Sequence, residues 1–146
     1  MAFAVAEGAK EVEGAKVTVK RADKTKLEDL LKADAIIVGS PTYYGQMSSK
    51  IKALFDKSVE IHGELEGKVG AAFTSSGGTA TGAETTLLSI IEAMLIHGMI
   101  IQGRARGKHY GAAAVGKPNK RELEVCRELG RRTAKLAYKL KHGGEK

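Results

Sequence analysis

The period of the hydrophobic positions changes several times along the chain. From Ala2 to Val12, Val5, Ala9 and Val12 recur at helical spacing among alanines, and Gly14 can end that helix. Lys16 to Arg21 alternates, with Val17 and Val19 on one face, which predicts a strand. Thr25 and Glu28 have the spacing of a capping box that opens a short helix through Leu27, Leu30 and Leu31. Ala35 to Val38 is a continuous apolar run, so it predicts a strand covered on both faces. Ser48 to about Val59 carries Ile51, Leu54 and Phe55 at helical spacing, and Gly67-Lys68 is a turn. Val69 to Phe73 is a second apolar strand, Glu84 to Leu95 a helix with Leu87, Leu88, Ile91 and Leu95 inward, and Met99 to Ile101 a last strand. Gly103 to Pro118 is Gly-rich and predicts irregular backbone. Asn119, three residues before Glu122, caps a long amphipathic helix with Leu123, Cys126, Leu129, Ala137 and Leu140 near its inward stripe.

Short apolar strands alternating with helices predict an α/β fold with a parallel sheet covered on both faces and right-handed crossovers. No linker or solenoid-length repeat divides the sequence, so residues 1–146 read as one domain. The composition is ordinary for such a domain, with 42% hydrophobic and 28% charged residues. The single cysteine, Cys126, excludes an intrachain disulfide and a cysteine metal cluster, and its inward position suits a buried structural thiol. His62, His97, His109 and His142 are too dispersed for a metal site. His97 sits where a helix ends, a place that favours a cation. The absence of an apolar run of membrane length and of a basic-then-apolar leader sets the expectation of a cytoplasmic protein. The net charge is +7, densest in the last helix from Lys117 to Lys141, but glutamates interleave there. That mixture favours a solvated helix face over a nucleic-acid surface.

Ligands of open parallel sheets bind beyond the carboxyl ends of the strands. Three loops are expected to leave such ends: Gly39–Gly45, Ser75–Gly82 and Gly103–Gly116. Each is rich in small residues, which let a flat ligand approach the main chain. Tyr43, Tyr44 and Tyr110 lie in two of them, placed to stack on an aromatic ring or simply to occupy half-exposed edges. Glu84 and Thr85 either cap a helix or touch the ligand. No Ser/His/Asp set has a defensible spacing, and Ser76 is not in a nucleophile elbow.

The stretches ADAIIVGSPTYYGQMSSKIKALFD and GKVGAAFTSSGGTATGAETTLLSIIEAMLIHGMIIQG resemble the flavodoxin-like family. Within it, the resemblance is to the tryptophan-repressor-binding-protein type of NAD(P)H:quinone oxidoreductases, from about Ala2 to Gly111. It implies a flavodoxin-like three-layer sandwich of strand order 2-1-3-4-5 with FMN at the strand ends. Carried over by motif, Ser40, Pro41, Thr42, Tyr43, Tyr44 and Gly45 would lie against the isoalloxazine. Ser75, Ser76, Gly77 and Gly78 would line its other side and the ribityl chain. Tyr110 and Gly111 would approach from the last loop, with His109 as the catalytic candidate. The resemblance further implies NAD(P)H as electron donor, a quinone as acceptor and a homo-oligomer, with no membrane partner. The flavin would carry the redox chemistry and the protein its position and electrostatics.

The family begins with an apolar strand and a Ser/Thr-x-Thr-Gly-x-Thr loop that cradles the FMN phosphate. Met1 aligns inside the helix that follows them. The expectation is therefore a flavodoxin-like sheet whose first, central strand is missing. An upstream start could supply that strand, Lys16–Arg21 could close directly onto Ala35–Val38, or a partner chain could cover the edge. FMN binding is expected to be weak or absent in the chain as it stands. The alternative is a non-catalytic relic or interaction module that keeps the fold without the cofactor.

Overall fold

The sheet is assembled on β2 (Val69–Ser76), the longest strand and the most deeply buried. β1 (Ala35–Pro41) pairs with it in parallel along one edge, from Ala35 opposite Val69 to Pro41 opposite Ser75. Two short strands share the other edge, both parallel: β3 (Ile100–Ile101) lies opposite Val69 and Gly70, and β4 (Ala112–Val115) opposite Phe73 to Ser76. This computed structural model describes residues 1–143 of the 146.

Alternate residues of the strands feed two apolar clusters, as a pleated strand covered on both faces requires. Val38 and Ala72 join Leu27 and Leu30 of α2 (Leu27–Lys32), Ile51 of α3 (Ser49–Lys57), and Leu87, Ile90 and Met94 of α4 (Ala83–Ile96). Ile37, Phe73 and Ala112 face the other way, onto Ala4 and Val5 of α1 (Ala2–Lys10) and Cys126 of α5 (Lys120–His142). The result is the expected three-layer α/β/α sandwich, with fully buried Cys126 at the heart of the second layer. No described helix is long and apolar enough to cross a membrane, and the described residues hold no cluster of three metal-binding side chains.

α1 lies along α5 at a contact made of glycines. A Cβ placed on Gly130 would meet the Val5 carbonyl oxygen at 1.9 Å, and one on Gly8 would meet the Arg127 carbonyl oxygen at 1.8 Å. Only bare Cα atoms let two helix backbones approach so closely. Arg127 and Arg131 then reach Glu7 of α1 and Glu11 just past its end, at 2.9 and 2.6 Å. Much of the basic character of the last helix is thus paired within the fold. Exposed pairs of this kind add about 0–1 kcal/mol each and mainly set the register of the two helices.

Three local expectations are corrected. Lys16–Arg21 is not a strand: from Lys16 to Lys20 its backbone takes no backbone partner, and Val19 is exposed. Nor does it close onto β1, whose outer edge carries no strand among the described residues. Alternation selects a face, but a strand also needs a neighbouring edge to bond. At the start of α2, Thr25 does not cap. Its hydroxyl bonds back to the Arg21 carbonyl at 2.9 Å, and the Asp29 carboxylate accepts the Lys26 N–H at 2.9 Å instead. Finally, the stretch expected to be irregular contains β4, because its run of alanines is small enough to fit between the β2 edge and α5.

His97, just past α4, is buried and does not act as a charged cap. The Ser58 hydroxyl donates to the Phe55 carbonyl at 2.6 Å, so it accepts from His97 Nε2–H, also at 2.6 Å. Nδ1 is buried with no partner. Burial first, and then neighbouring His62, push the His97 imidazole below its ordinary value. The unfolded chain therefore binds the proton more readily than the folded one. Stability is complete above the unfolded value near 6.5 and declines as pH falls through the window beneath it, by at most about 1.4 kcal/mol per pH unit. Urea melts between pH 8 and 5 should show this slope in the native protein and a shallower one in His97→Gln.

Candidate functional site

The loops that follow β1 and β2 meet at the carboxyl end of the sheet. Their bases are locked by hydroxyls. The buried Thr74 hydroxyl donates to the Ser40 carbonyl at 2.7 Å, so the Thr42 hydroxyl, 2.9 Å away, must donate to Thr74. The Thr42 N–H continues the ladder to the Ser75 carbonyl at 2.8 Å. Ser40 Oγ accepts the Ser48 N–H at 2.8 Å and so joins the loop to the start of α3. None of these hydroxyls is free to act as a nucleophile; they hold the backbone in place.

Beyond Thr42 the chain makes a two-residue hairpin. Tyr43 and Gln46 exchange both backbone hydrogen bonds, at 3.1 and 3.0 Å, around Tyr44 and Gly45. Both turn residues have positive φ, 50° and 72°. Glycine adopts that conformation freely, whereas tyrosine does so at a cost. Tyr44 is wholly exposed and Tyr43 mostly so. The fold thus spends strain to hold an aromatic ring in solvent, a pattern that points to a ligand contact.

The second loop comes up beside the first. A Cβ on Gly82 (φ 97°) would fall 2.7 Å from the Gly45 Cα, and one on Gly45 would fall 2.9 Å from Thr85 Oγ1. Gly78 accepts from both the Ser76 and the Thr81 hydroxyls, at 2.9 and 2.7 Å, which curls Gly77–Thr81 into a fixed turn. Gly77 is exposed, with nothing near its missing side chain. Its backbone is open to a flat ligand whose polar edge seeks N–H groups. Thr85 and Thr86 both bond the Gly82 carbonyl, at 3.1 and 2.8 Å, and Glu84 beside them is exposed. Sequence reasoning placed Gly82 at the end of a candidate loop but missed its approach to Gly45, and it missed Thr74 and Gln46, since a close approach between two loops leaves no local pattern.

The structure brings Ser40–Gly45 and Ser75–Gly78 to one end of the sheet. His109, Tyr110 and Gly111 are placed elsewhere. The segment containing them leaves β3 level with Gly70, well short of Ser76 where β2 ends, and leads into the amino end of β4. A Cβ on Gly111 would meet the Ala72 carbonyl oxygen at 2.1 Å, halfway down β2. The segment that leaves the sheet at the carboxyl end on that side is Gly116–Pro118, whose Gly116 N–H bonds the Ser76 carbonyl at 2.8 Å.

The sandwich and its two paired strand-end loops define a flavodoxin-like α/β protein. The model of the NADPH-dependent FMN reductase family matches residues 7–110. A flavodoxin of Aquifex aeolicus is 43% identical over 142 residues, taking in 92% of this chain and 77% of the relative. An NAD(P)H dehydrogenase (quinone) of Archaeoglobus fulgidus is 41% identical over 175 residues, with 96% and 91% covered. That alignment is longer than this chain, so the relative carries segments within the matched span that are absent here. Among solved structures, a flavodoxin, WrbA-like protein from Agrobacterium tumefaciens superposes with a TM-score of 0.75 at 27% identity, covering 94% of this chain and 87% of its own. The chain belongs to the flavodoxin-like NADPH-dependent FMN reductase family, on the branch that includes the NAD(P)H dehydrogenases (quinone).

Proposed function

We propose that this protein is a flavin-dependent NAD(P)H:quinone oxidoreductase whose FMN ring lies between the hairpin Tyr43–Gln46 and the turn Gly77–Thr81. The observation that carries this is Tyr44, an exposed aromatic ring held on a positive-φ backbone beside the open main chain of Gly77. Tyr43 and Tyr44 cover the ring, and the N–H groups of Tyr44 and Gly45, which take no backbone partner, and of Gly77–Gly78 meet its polar edge. Ser40, Pro41, Ser75 and Ser76 form the rigid floor. When bound, the flavin supplies the two-electron chemistry between a nicotinamide and a quinone. The protein's part is to exclude water from one face and to fix the ring's orientation. His109, Tyr110 and Gly111, the candidates from the last loop, are assigned no contact with the ring.

Ser40–Gly45 and Ser75–Gly82 contain no Lys, Arg or His. They suit a ring and a ribityl chain, but the Ser40, Thr42, Ser76 and Thr81 hydroxyls already donate within the fold, which leaves few donors and no positive charge for a phosphate dianion. FMN is therefore held here mainly by its ring, and more weakly than an arrangement with a phosphate cradle would allow. Titration of FMN into the protein, followed by flavin fluorescence quenching, tests the reading. Saturable binding that weakens by about tenfold in Tyr44→Ala is expected, the value of a lost aromatic stack. Riboflavin should then bind nearly as well as FMN, since the phosphate adds little. A protein that leaves flavin fluorescence unchanged overturns the reading in favour of a fold kept without its cofactor. A homo-oligomer and a cytoplasmic location accompany the enzyme reading; sedimentation and cell fractionation test them.

A further inference from the structure

A second cleft lies between the segment 102–111 and α5. Its floor is apolar, formed by Ala71, Ala112, Val125 and Leu129, and Arg104, Lys108, His109 and Arg132 also line it. No residue of Ser40–Gly45 or Ser75–Gly78 contributes to it, so a ligand in this cleft would be independent of the flavin reading.

The charges around this cleft do not balance. Between Gln102 and Arg121 the chain has six Lys or Arg residues and no Asp or Glu. Glu128 enters from α5, but Arg104 takes it up through two bonds, Nε at 3.0 Å and Nη2 at 2.8 Å. The third nitrogen of Arg104 donates to the Arg106 carbonyl and, at 2.9 Å, to the Gly107 carbonyl. Four of the five N–H groups of Arg104 are thus committed within the fold, which makes it a structural clamp. Lys108 and Arg132 have no carboxylate partner among the described residues. Arg132 donates only to the Gly103 carbonyl, at 2.6 Å, which leaves the rest of its guanidinium available.

The segment is also held in shape before any ligand arrives. The Arg104 N–H donates to the His109 carbonyl at 3.2 Å, and His109 Nδ1–H donates back to the Arg104 carbonyl at 2.8 Å. With the Arg104–Glu128 bonds and the Arg132–Gly103 bond, both ends of the segment are tied to each other and to α5. Holding like charges together costs free energy, and a bound anion removes that cost without further ordering of the loop.

We propose that this cleft binds a small oxyanion of the phosphate class, held by Lys108 and Arg132 with His109 at its rim. Two sources share this chemistry: free inorganic phosphate, and a phosphate carried on a nucleotide ribose. Titration of the full ¹⁵N-labelled chain with inorganic phosphate, and separately with adenosine 2′,5′-bisphosphate, at constant ionic strength, tests it. Saturable amide shifts are expected at Ala71–Ala72, at 102–112 and along 125–132 of α5, with none at Tyr43–Gln46 or Gly77–Thr81. Lys108→Ala and Arg132→Gln should each weaken binding about tenfold, the value of one charge-assisted bond. Arg106→Ala removes the same charge from the same segment at a position that does not line the cleft, and should change affinity less than about twofold. Lys108→Ala leaves every bond that shapes the segment in place, so its effect does not depend on how Arg132→Gln folds. Tighter binding of the bisphosphate identifies a nucleotide as the ligand, and equal binding identifies free phosphate. Shifts that rise linearly without saturating, or Arg106→Ala costing as much as Lys108→Ala, would mean diffuse attraction to a basic surface and overturn the site.

Discussion

Gly130→Ala is expected to destabilise this protein strongly although it adds only one methyl group. The new carbon would sit 1.9 Å from the Val5 carbonyl oxygen and 3.0 Å from the Ala9 nitrogen, both backbone atoms that cannot swing aside. The contact can be relieved only by lifting α1 off α5. That separation loosens buried Ala4, Val5 and Cys126 and parts Glu7 and Glu11 from their arginines. Overpacking of this kind costs about 1–3 kcal/mol, and rigid backbone on both sides puts this case at the upper end or beyond. Alanine's better helix propensity returns only about 1 kcal/mol. Gly8→Ala presses the same two helices apart from the other side, against the Arg127 carbonyl. Both variants share one relieving motion, so the double variant should be less destabilised than the sum of the singles. Chemical denaturation of the three variants and the parent measures both effects. Additive losses would show that the helices yield separately at each glycine.

Gly82→Ala should abolish flavin binding while leaving most of the fold intact. Two costs fall on this one residue. Its φ of 97° lies where side chains are strained, and the added carbon would approach the Gly45 Cα at 2.7 Å and the Gly45 nitrogen at 3.2 Å. The hairpin tip that carries Tyr44 must then move by a substantial fraction of an ångström. Ring contacts depend on that placement, so affinity should fall by more than the tenfold expected for Tyr44→Ala. The melting transition should fall only modestly, because Gly82 and Gly45 lie at the rim and the apolar clusters lie below them. Quenching titrations and urea melts on the same samples separate the two effects. Equal loss of binding and stability would mean that the loops are part of the cooperative core, not a platform set on it.

The contrast between these variants shows how much the chain states about itself. Periodicity located the five α-helices of the described residues, and the apolar runs 35–38 and 69–73 located the two long strands, because burial on both faces of a sheet demands unbroken apolar sequence. The Asn119 cap was legible because it is local: its side chain accepts the Glu122 N–H at 2.9 Å, three residues away. The hairpin and turn that build the candidate ring site were legible as small-residue loops at strand ends. Lys16–Arg21 misled, since its alternation satisfies the pattern of a strand without a neighbour to complete it. The placement of His109 and Tyr110 apart from the two paired loops was not legible for a related reason. A loop between two short strands that share one edge of β2 reads, in sequence, like a loop at the end of the sheet.

The sequence by itself determined the class of fold, the helices, the two long strands, the inward position of Cys126 and the two small-residue loops at the strand ends, because these depend on local spacing and on hydrophobic period. The tertiary structure alone decided which carboxylates pair with which arginines, and why Gly8, Gly82 and Gly130 must be glycine. It also decided that His97 is held neutral against Ser58 and that Lys108 and Arg132 share an unneutralised cleft. Each of these rests on residues far apart in the chain, whose meeting depends on how helices and strands pack.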